Sequence, residues 1–492
     1  MHREPKSRCG CPSLSPRPAG REPERGDRLI VSAKHFLATV RPIIFLTTLA
    51  ATLAMPAISH AQTNDPGRFR LMILDPGHFH AALVQKFMYP DVSPLVHIYA
   101  PAGDDLEEHL KRVVLYNTRT NKPTHWEQDV YRGPDYFEKM LANKPGNVVV
   151  LAGNNAHKTE YILRSIQAGL NVLADKPMVI TPAEFPHLQE AFQAAASNHV
   201  LLSDIMTERY EITTVLQREL SQQPALFGEW LAGSPDAPAI VMESVHCFSK
   251  VVSGVPLKRP AWSFDTRQQG EGLMDVGTHL VDLVQWEAFP EEALTSGDVT
   301  VLKARRWTTP ITRAQFQQVT GEAEFPAYLR PDVTNGVLGV YANGEVVYRI
   351  RHLWVKVTAR WDFQPPPGGG DSHYSALRGT RATLVIRQGA VENYHPTLYI
   401  EEPAGATPNF VVRLQRAIEE LQSKYPGIGL ERAGDVWRVT IPESYNVGHE
   451  AHFSQVTENY LQSLRTGHLP AWEVPNMLTK YSTLMRAYAL SR

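Results

Sequence analysis

Between residues 68 and 206 the chain alternates between two incompatible periodicities, and this alternation constrains the fold more than any other feature. Short apolar or β-branched runs occur at RLMIL (70–74), LVHIY (95–99), NVVVLAG (147–153), NVLAD (171–175) and VLLSDI (200–205). Between them lie stretches of helical spacing at 79–87, 107–116, 135–143, 157–169 and 182–198. Strands separated by helices of about ten residues close as a parallel sheet with crossover helices. Gly169 supplies the C-terminal cap of the fourth helix. The stretch NTRTNKPTHWEQD (117–129) reads as a polar excursion.

The character changes after residue 206. A helix at 211–223 leads to strand-like GEWLAG (228–233) and AIVMESVH (239–246), then to a helix near 274–288. Long strand-like segments follow. The one at 336–363 contains Asn343-Gly344, a strong hairpin signal. Two helices at 452–467 and 474–490 close the chain. The expected architecture is α/β: a doubly wound parallel sheet over 62–206, then an α+β domain over 207–492 on a largely antiparallel open sheet.

The N-terminus has another logic. Residues 1–42 are rich in Arg, Pro and Gly, and IIFLTTLAATLAMPAI (43–58) is apolar, followed by small residues at Ser59 and Ala61. This predicts a secretory signal peptide with a long leader over 1–61, cleaved after Ala61, with a true start downstream near Val31. Pro56 and the shortness of the run argue against a membrane span. No Arg-Arg pair precedes the run, so the general secretory route is expected, with a periplasmic or secreted destination and no membrane contact after cleavage. Of three cysteines, Cys9 and Cys11 fall in the leader, which leaves Cys247 as a single buried thiol without a disulfide partner. The net charge of −2 excludes a global signal for nucleic acid.

Three stretches carry chemistry. Asp275, His279 and Asp282 are spaced four and three apart, which places them on one helical face. An imidazole flanked by carboxylates suits a general base that takes a proton from a hydroxyl, with Asp275 orienting His279. The same spacing is open to a metal reading, the weaker of the two without a further imidazole. Lys176 ends a buried strand before Pro177, where ligands of open parallel sheets bind, and its cation could stabilise a developing alkoxide. Asn154 and His157 open a crossover helix, where capping is the ordinary role.

VVVLAGNNAHKTEYILRSIQAGLNVLADKPM (148–178) and GEGLMDVGTHLVDLVQW (270–286), in this order on two domains, resemble the glucose–fructose oxidoreductase and inositol dehydrogenase (Gfo/Idh/MocA) family. The family's first pattern is met by Asn154, His157, Ala168, Gly169, Val172, Lys176 and Pro177, with Asp175 in place of a glutamate. Its Asp-x-Gly-x-His-x-x-Asp is met by Asp275, Gly277, His279 and Asp282. The resemblance implies a Rossmann-type fold, NAD or NADP as cofactor, and Lys176, Asp275 and His279 as catalytic residues. It places Asn154 and His157 beside the cofactor, and Arg209 with Asp282 at the substrate. It also implies a homo-oligomer through the C-terminal sheet.

LDPGHFHAALV (74–84) occupies the place of the phosphate loop. Laid on Gly-x-Gly-x-x-Gly, only Gly77 survives, and Pro76 removes an N–H donor. Gly77 still permits close approach, the helix beyond offers N–H groups, and His78 adds a donor. Neither His78-x-His80 nor His449-x-x-His452 shows metal-ligand partners in sequence, so no metal is expected. The preferred reading is an exported oxidoreductase that moves hydride between a bound nicotinamide and a sugar or polyol alcohol. Two rivals stand beside it: an NAD-dependent, redox-neutral glycosidase or lyase acting through a keto-sugar, and a non-catalytic sugar-binding protein on a degraded dehydrogenase fold.

Overall fold

The computed structural model describes residues 67–252, 255–403 and 409–492. The expected leader, apolar stretch and cleavage site, with Cys9 and Cys11, lie outside these residues. No described helix is long and apolar enough to cross a membrane.

Six strands form the first sheet: β1 (Leu71–Leu74), β2 (Leu95–Ala100), β3 (Glu127–Arg132), β4 (Val148–Leu151), β5 (Asn171–Asp175) and β6 (Leu202–Ile205). They are parallel in the order β3-β2-β1-β4-β5-β6, so the direction of winding reverses between β1 and β4. That reversal opens a crevice at the carboxyl ends of the strands, where doubly wound folds bind ligands. All four residues of β1 and of β4 are buried, which is why both were legible as apolar runs. The β3 strand begins in the last residues of the stretch that reads as a polar excursion and runs on to Arg132. It is an edge strand, paired only with β2 and largely exposed, so it lacks an apolar signature.

The helix after β1 is a single turn, His80–Leu83, where the spacing predicts 79–87. Every residue from His80 to Gln85 is buried. The segment has no wet face, and tertiary packing sets its path instead of helical periodicity.

The second sheet has ten strands. Its centre is Ile240–Cys247, parallel to Leu353–Asp362 on one side and antiparallel to Ser372–Arg378 on the other. The other pairings are antiparallel. GEWLAG contributes only isolated bridges, Trp230 with Gly379 and Gly233 with Pro238. Cys247 is buried, and burial lifts its thiol to about 12, as befits a structural thiol.

Asn343-Gly344 is not a hairpin turn. Both residues lie inside the strand Val337–Ile350, opposite Trp307 and Arg306. The Asn343 amide donates to the Trp307 carbonyl (3.1 Å) and to Thr309 Oγ1 (2.8 Å), and its oxygen accepts from Trp361 N (2.8 Å). It bridges a register shift between Trp307 and Thr309. A methyl at Gly344 would strike Leu273 of the helix Gly272–Ala288, which packs against the sheet. The asparagine therefore serves the bulge and the glycine serves the helix contact.

Two helix glycines separate tolerance from collision. A methyl at Gly272 would strike the Ala342 carbonyl oxygen, whereas at Gly277 its nearest neighbour would be 3.6 Å away. Gly272→Ala is expected to destabilise by about 1–3 kcal/mol through overpacking. Gly277→Ala is expected to be neutral or to stabilise by up to about 1 kcal/mol through helix propensity. Thermal unfolding of the two variants checks the ordering.

Candidate active site

A cavity of about 1200 Å³ opens at the carboxyl ends of β1, β2 and β5. One wall is the loop Asp75–His80, the turn Pro101–Asp105 and Lys176. The facing wall carries Asp275 and His279 from the helix Gly272–Ala288, with His246 and Trp361 from the large sheet. A space of this size and position suits a dinucleotide with a small substrate.

Lys176 leaves the end of β5 and donates to Asp275 Oδ1 at 2.5 Å, both side chains nearly buried. Burial works to raise the Asp275 carboxyl, but the Lys176 ammonium overrides it and holds the group at about 2. His279 lies one turn further along, and its buried Nδ1 has no hydrogen-bond partner. Burial, reinforced by the charge of Lys176, keeps its imidazole well below the usual value and hence neutral. The expected Asp275–His279 orienting bond is not what forms, because an ammonium binds the carboxylate more strongly than a neutral ring. Asp275 is the counter-ion of Lys176, and His279 Nδ1 is left without a partner among the described residues.

Asp282 and Arg209 come together, but away from the cavity wall. Arg209 Nε and Nη2 donate to the two oxygens of Asp282 at 2.6 Å each, and Nη1 donates to Glu473 at 2.8 Å. Lys480, itself 1% exposed, donates to Asp282 Oδ1 and pairs with Asp204 Oδ2, both at 2.8 Å. Helical spacing set the correct face for Asp282 but carried it two turns down the axis, into the frame of the protein. Neither Asp282 nor Arg209 lines the cavity. With both carboxylates committed to cations, the helix motif does not gather around a metal.

The loop after β1 departs from a phosphate cradle in several ways. Asp75 takes a positive φ of 49°. The His78 N–H is spent on the Ala152 carbonyl (3.1 Å). A methyl at Gly77 would lie 2.9 Å from Asp105 Oδ2 and 3.1 Å from Trp262, whose indole N–H donates to that carboxyl at 2.8 Å. Burial, then the charge of Asp105, raises Asp75 to about 6, and burial raises Asp105 as well. The residues present still fit a dinucleotide: Gly77 lines the cavity without adding a side chain to it, and flanking carboxyls raised above their usual range repel phosphate less. Asn154 does not reach the cavity, since its amide donates to Gln268 (2.7 Å) and its oxygen caps Ala156 N (2.9 Å). His157 is exposed, with a distant Glu160 as its nearest carboxylate.

Several further cavity residues lie outside the two long motifs. Glu208 is raised to about 7, by burial first and Glu211 second, so it is protonated for part of the neutral range. His246 stands 3.3 Å from Asp371 and packs over Trp361 at 5.2 Å. Lys250 also holds Asp371, at 2.5 Å. Asp371 follows a Pro/Gly loop, and nothing in its local sequence points to a site. His78 and His80 approach Asp175 at 3.5 Å and 2.9 Å. Burial, then the neighbouring His80, lowers His78 to about 3, which keeps that ring neutral.

Comparison with known proteins follows the same division. Residues 77–204 match the family model described as "Oxidoreductase family, NAD-binding Rossmann fold", and residues 216–492 match "Putative oxidoreductase C terminal domain". No curated protein matches the chain. A solved structure from Parabacteroides merdae, described as "a putative oxidoreductase", is 52% identical, covers 87% of this chain and 98% of its own, and superposes with a TM-score of 0.86. The fold is shared with a 3-ketoreductase from Actinomadura kijaniata solved with NADP and TDP-benzene, at 13% identity, 87% and 98% coverage and a TM-score of 0.52. It is also shared with GenD2 from gentamicin A biosynthesis, solved with NAD, at 16% identity, 86% and 94% coverage and a TM-score of 0.50.

Removing Lys480 leaves Asp204 and Asp282 buried with too little compensating charge. Lys480→Met is expected to destabilise the fold by about 3–5 kcal/mol, read by denaturant unfolding.

Proposed function

Because the chain belongs to the Gfo/Idh/MocA oxidoreductase family, whose model describes an NAD-binding Rossmann fold, we propose that it moves hydride between a nicotinamide dinucleotide and a secondary alcohol of a sugar or polyol. The observation that carries this reading is the Lys176–Asp275 ion pair beside a neutral His279, all three lining the cavity. The cofactor's chemistry is reversible hydride acceptance. The chain's own groups supply the rest. Lys176, held by Asp275, stabilises negative charge as it develops on the substrate oxygen. His279, kept neutral by burial, accepts the hydroxyl proton. Gly77, His78 and Lys176 are the sequence-predicted cofactor contacts that line the cavity; NAD and NADP both remain compatible with this wall.

The reading includes export of the chain, for which the leader at 1–61 is the motive. Outside the cytoplasm no pool of free nicotinamide is at hand, so the cofactor would stay bound and cycle. A redox-neutral elimination through a keto-sugar is a second reading. It is favoured by His246, paired with Asp371, on the cavity wall, because elimination needs a second proton carrier.

Absorbance and fluorescence spectra of the purified protein, before and after adding candidate sugars, test the main reading. A bound reduced nicotinamide that responds to sugar is expected; absence of binding at millimolar NAD and NADP overturns it. His279→Gln is expected to lose about 10²- to 10⁴-fold in turnover with nicotinamide affinity within a few-fold of the parent. The loop adds a pH dependence. Asp75 is raised from 3.8 to about 6, so its contribution to stability is fully present below about pH 4 and is lost as pH rises through 6. Binding of the anionic cofactor is expected to tighten over the same fall in pH. Asp75→Asn should bind severalfold more tightly at pH 8, an effect of about 1 kcal/mol, and flatten the profile between pH 5 and 8 in a fluorescence titration.

A further inference from the structure

The phosphate-loop histidines have a partner that local spacing could not reveal. His78 and His80 leave the end of β1, and Asp175 ends β5, 95 residues after His80. Their ligand atoms all lie within 4.8 Å of one another. His80 Nδ1 meets Asp175 Oδ2 at 2.9 Å, and His78 Nδ1 faces the same oxygen at 3.5 Å. The second contact is not a hydrogen bond, and His78 Nδ1 is left buried without a partner. A second buried ring nitrogen facing an oxygen already occupied is an unsatisfied group, and with its lone pair free it would ligate a cation placed between the three.

We propose that His78, His80 and Asp175 form a binding site for a borderline divalent transition-metal ion such as Zn²⁺ or Co²⁺. Two imidazoles and one carboxylate with an open position are a donor set for such metals and a poor one for Mg²⁺ or Ca²⁺, which prefer oxygen alone. His78 and His80 both line the main cavity, so the site lies beside it. His449, whose ring centre is 5.6 Å from that of His80, also lines this side. The site is held from behind. Lys158 donates to the Asp175 carbonyl oxygen at 3.0 Å, and Phe453 packs against the His80 ring at 4.5 Å. The two nearby ammonium groups do not forbid a cation: Lys176 is matched by Asp275, and Lys158 is turned to the backbone of Asp175. An ion here would offer a Lewis-acidic position to a substrate or water oxygen on the same wall as Lys176.

Titration of the chelator-stripped full chain with Co²⁺, followed by visible ligand-field absorption and by Zn²⁺ competition, tests the site. One equivalent bound at micromolar concentration or below is expected, with affinity at least tenfold weaker in His80→Ala and in Asp175→Asn. His78→Gln, at the most exposed of the three positions, keeps the test usable if the buried variants fail to fold, and circular dichroism checks folding in each. Absence of Co²⁺ and Zn²⁺ binding at micromolar levels overturns the proposal, as does unchanged affinity in the folded variants. Nicotinamide binding, measured separately by fluorescence on the stripped protein, keeps failure of the metal site distinct from failure of the dehydrogenase reading.

Discussion

Lys480 is the point on which the two sheets depend. Its ammonium, 1% exposed, is shared between Asp204 at the end of the parallel sheet and Asp282 in the helix that carries Asp275 and His279. Tyr481 extends the network, donating to Asp204 (2.9 Å) and accepting from the Met178 N–H (3.2 Å) two residues after Lys176. Buried ions cost several kcal/mol each to desolvate and recover that only in good geometry. The closing helix, the end of β6 and the helix Gly272–Ala288 must therefore register closely, and with them the Lys176 turn. The 2.5 Å contact between Lys176 and Asp275 follows from that registration, not from the two residues alone.

The same network explains what was legible in the sequence. Lys176, Asp275 and His279 could be read because each belongs to a local pattern: a strand end before proline, or a helical face. Asp282 shared that pattern and was assigned to the substrate, yet spacing along a helix fixes the face and not the depth at which a cavity ends. Arg209 has no local pattern to read, since its partners Asp282 and Glu473 lie 73 and 264 residues away. β1, β2, β4, β5 and β6 were visible because burial made them apolar. Edge strand β3 was not, because one exposed edge removes that pressure. Asn343-Gly344 has turn chemistry, but a bulge and a close helix contact ask for the same two residue types.

The loop after β1 shows the limit of reading by template. Against a glycine-rich cradle it is deficient: one glycine, a proline, and a helix of one turn whose end offers little dipole. Against its neighbours it is full, because its histidines meet Asp175 and Gly77 packs against Asp105 and Trp262. Such long-range partners leave no periodicity behind them, so only the folded chain reveals which groups these residues meet.

Burial treats the cavity's ionisable groups unequally, and the inequality bears on chemistry. Asp75 and Glu208 are pushed up to about 6 and 7, His78 and His373 down to about 3 and 4, and His279 falls well below its ordinary value. Each shift favours the neutral form. Asp275 goes the other way because Lys176 is there to hold it ionised. His78, His279 and His373 around the Lys176–Asp275 pair are thus neutral near neutral pH, and charge is screened less in a buried setting than in water. An oxygen placed between Lys176 and His279 would meet the ammonium beside its Asp275 counter-ion and, across from it, an imidazole that burial keeps neutral.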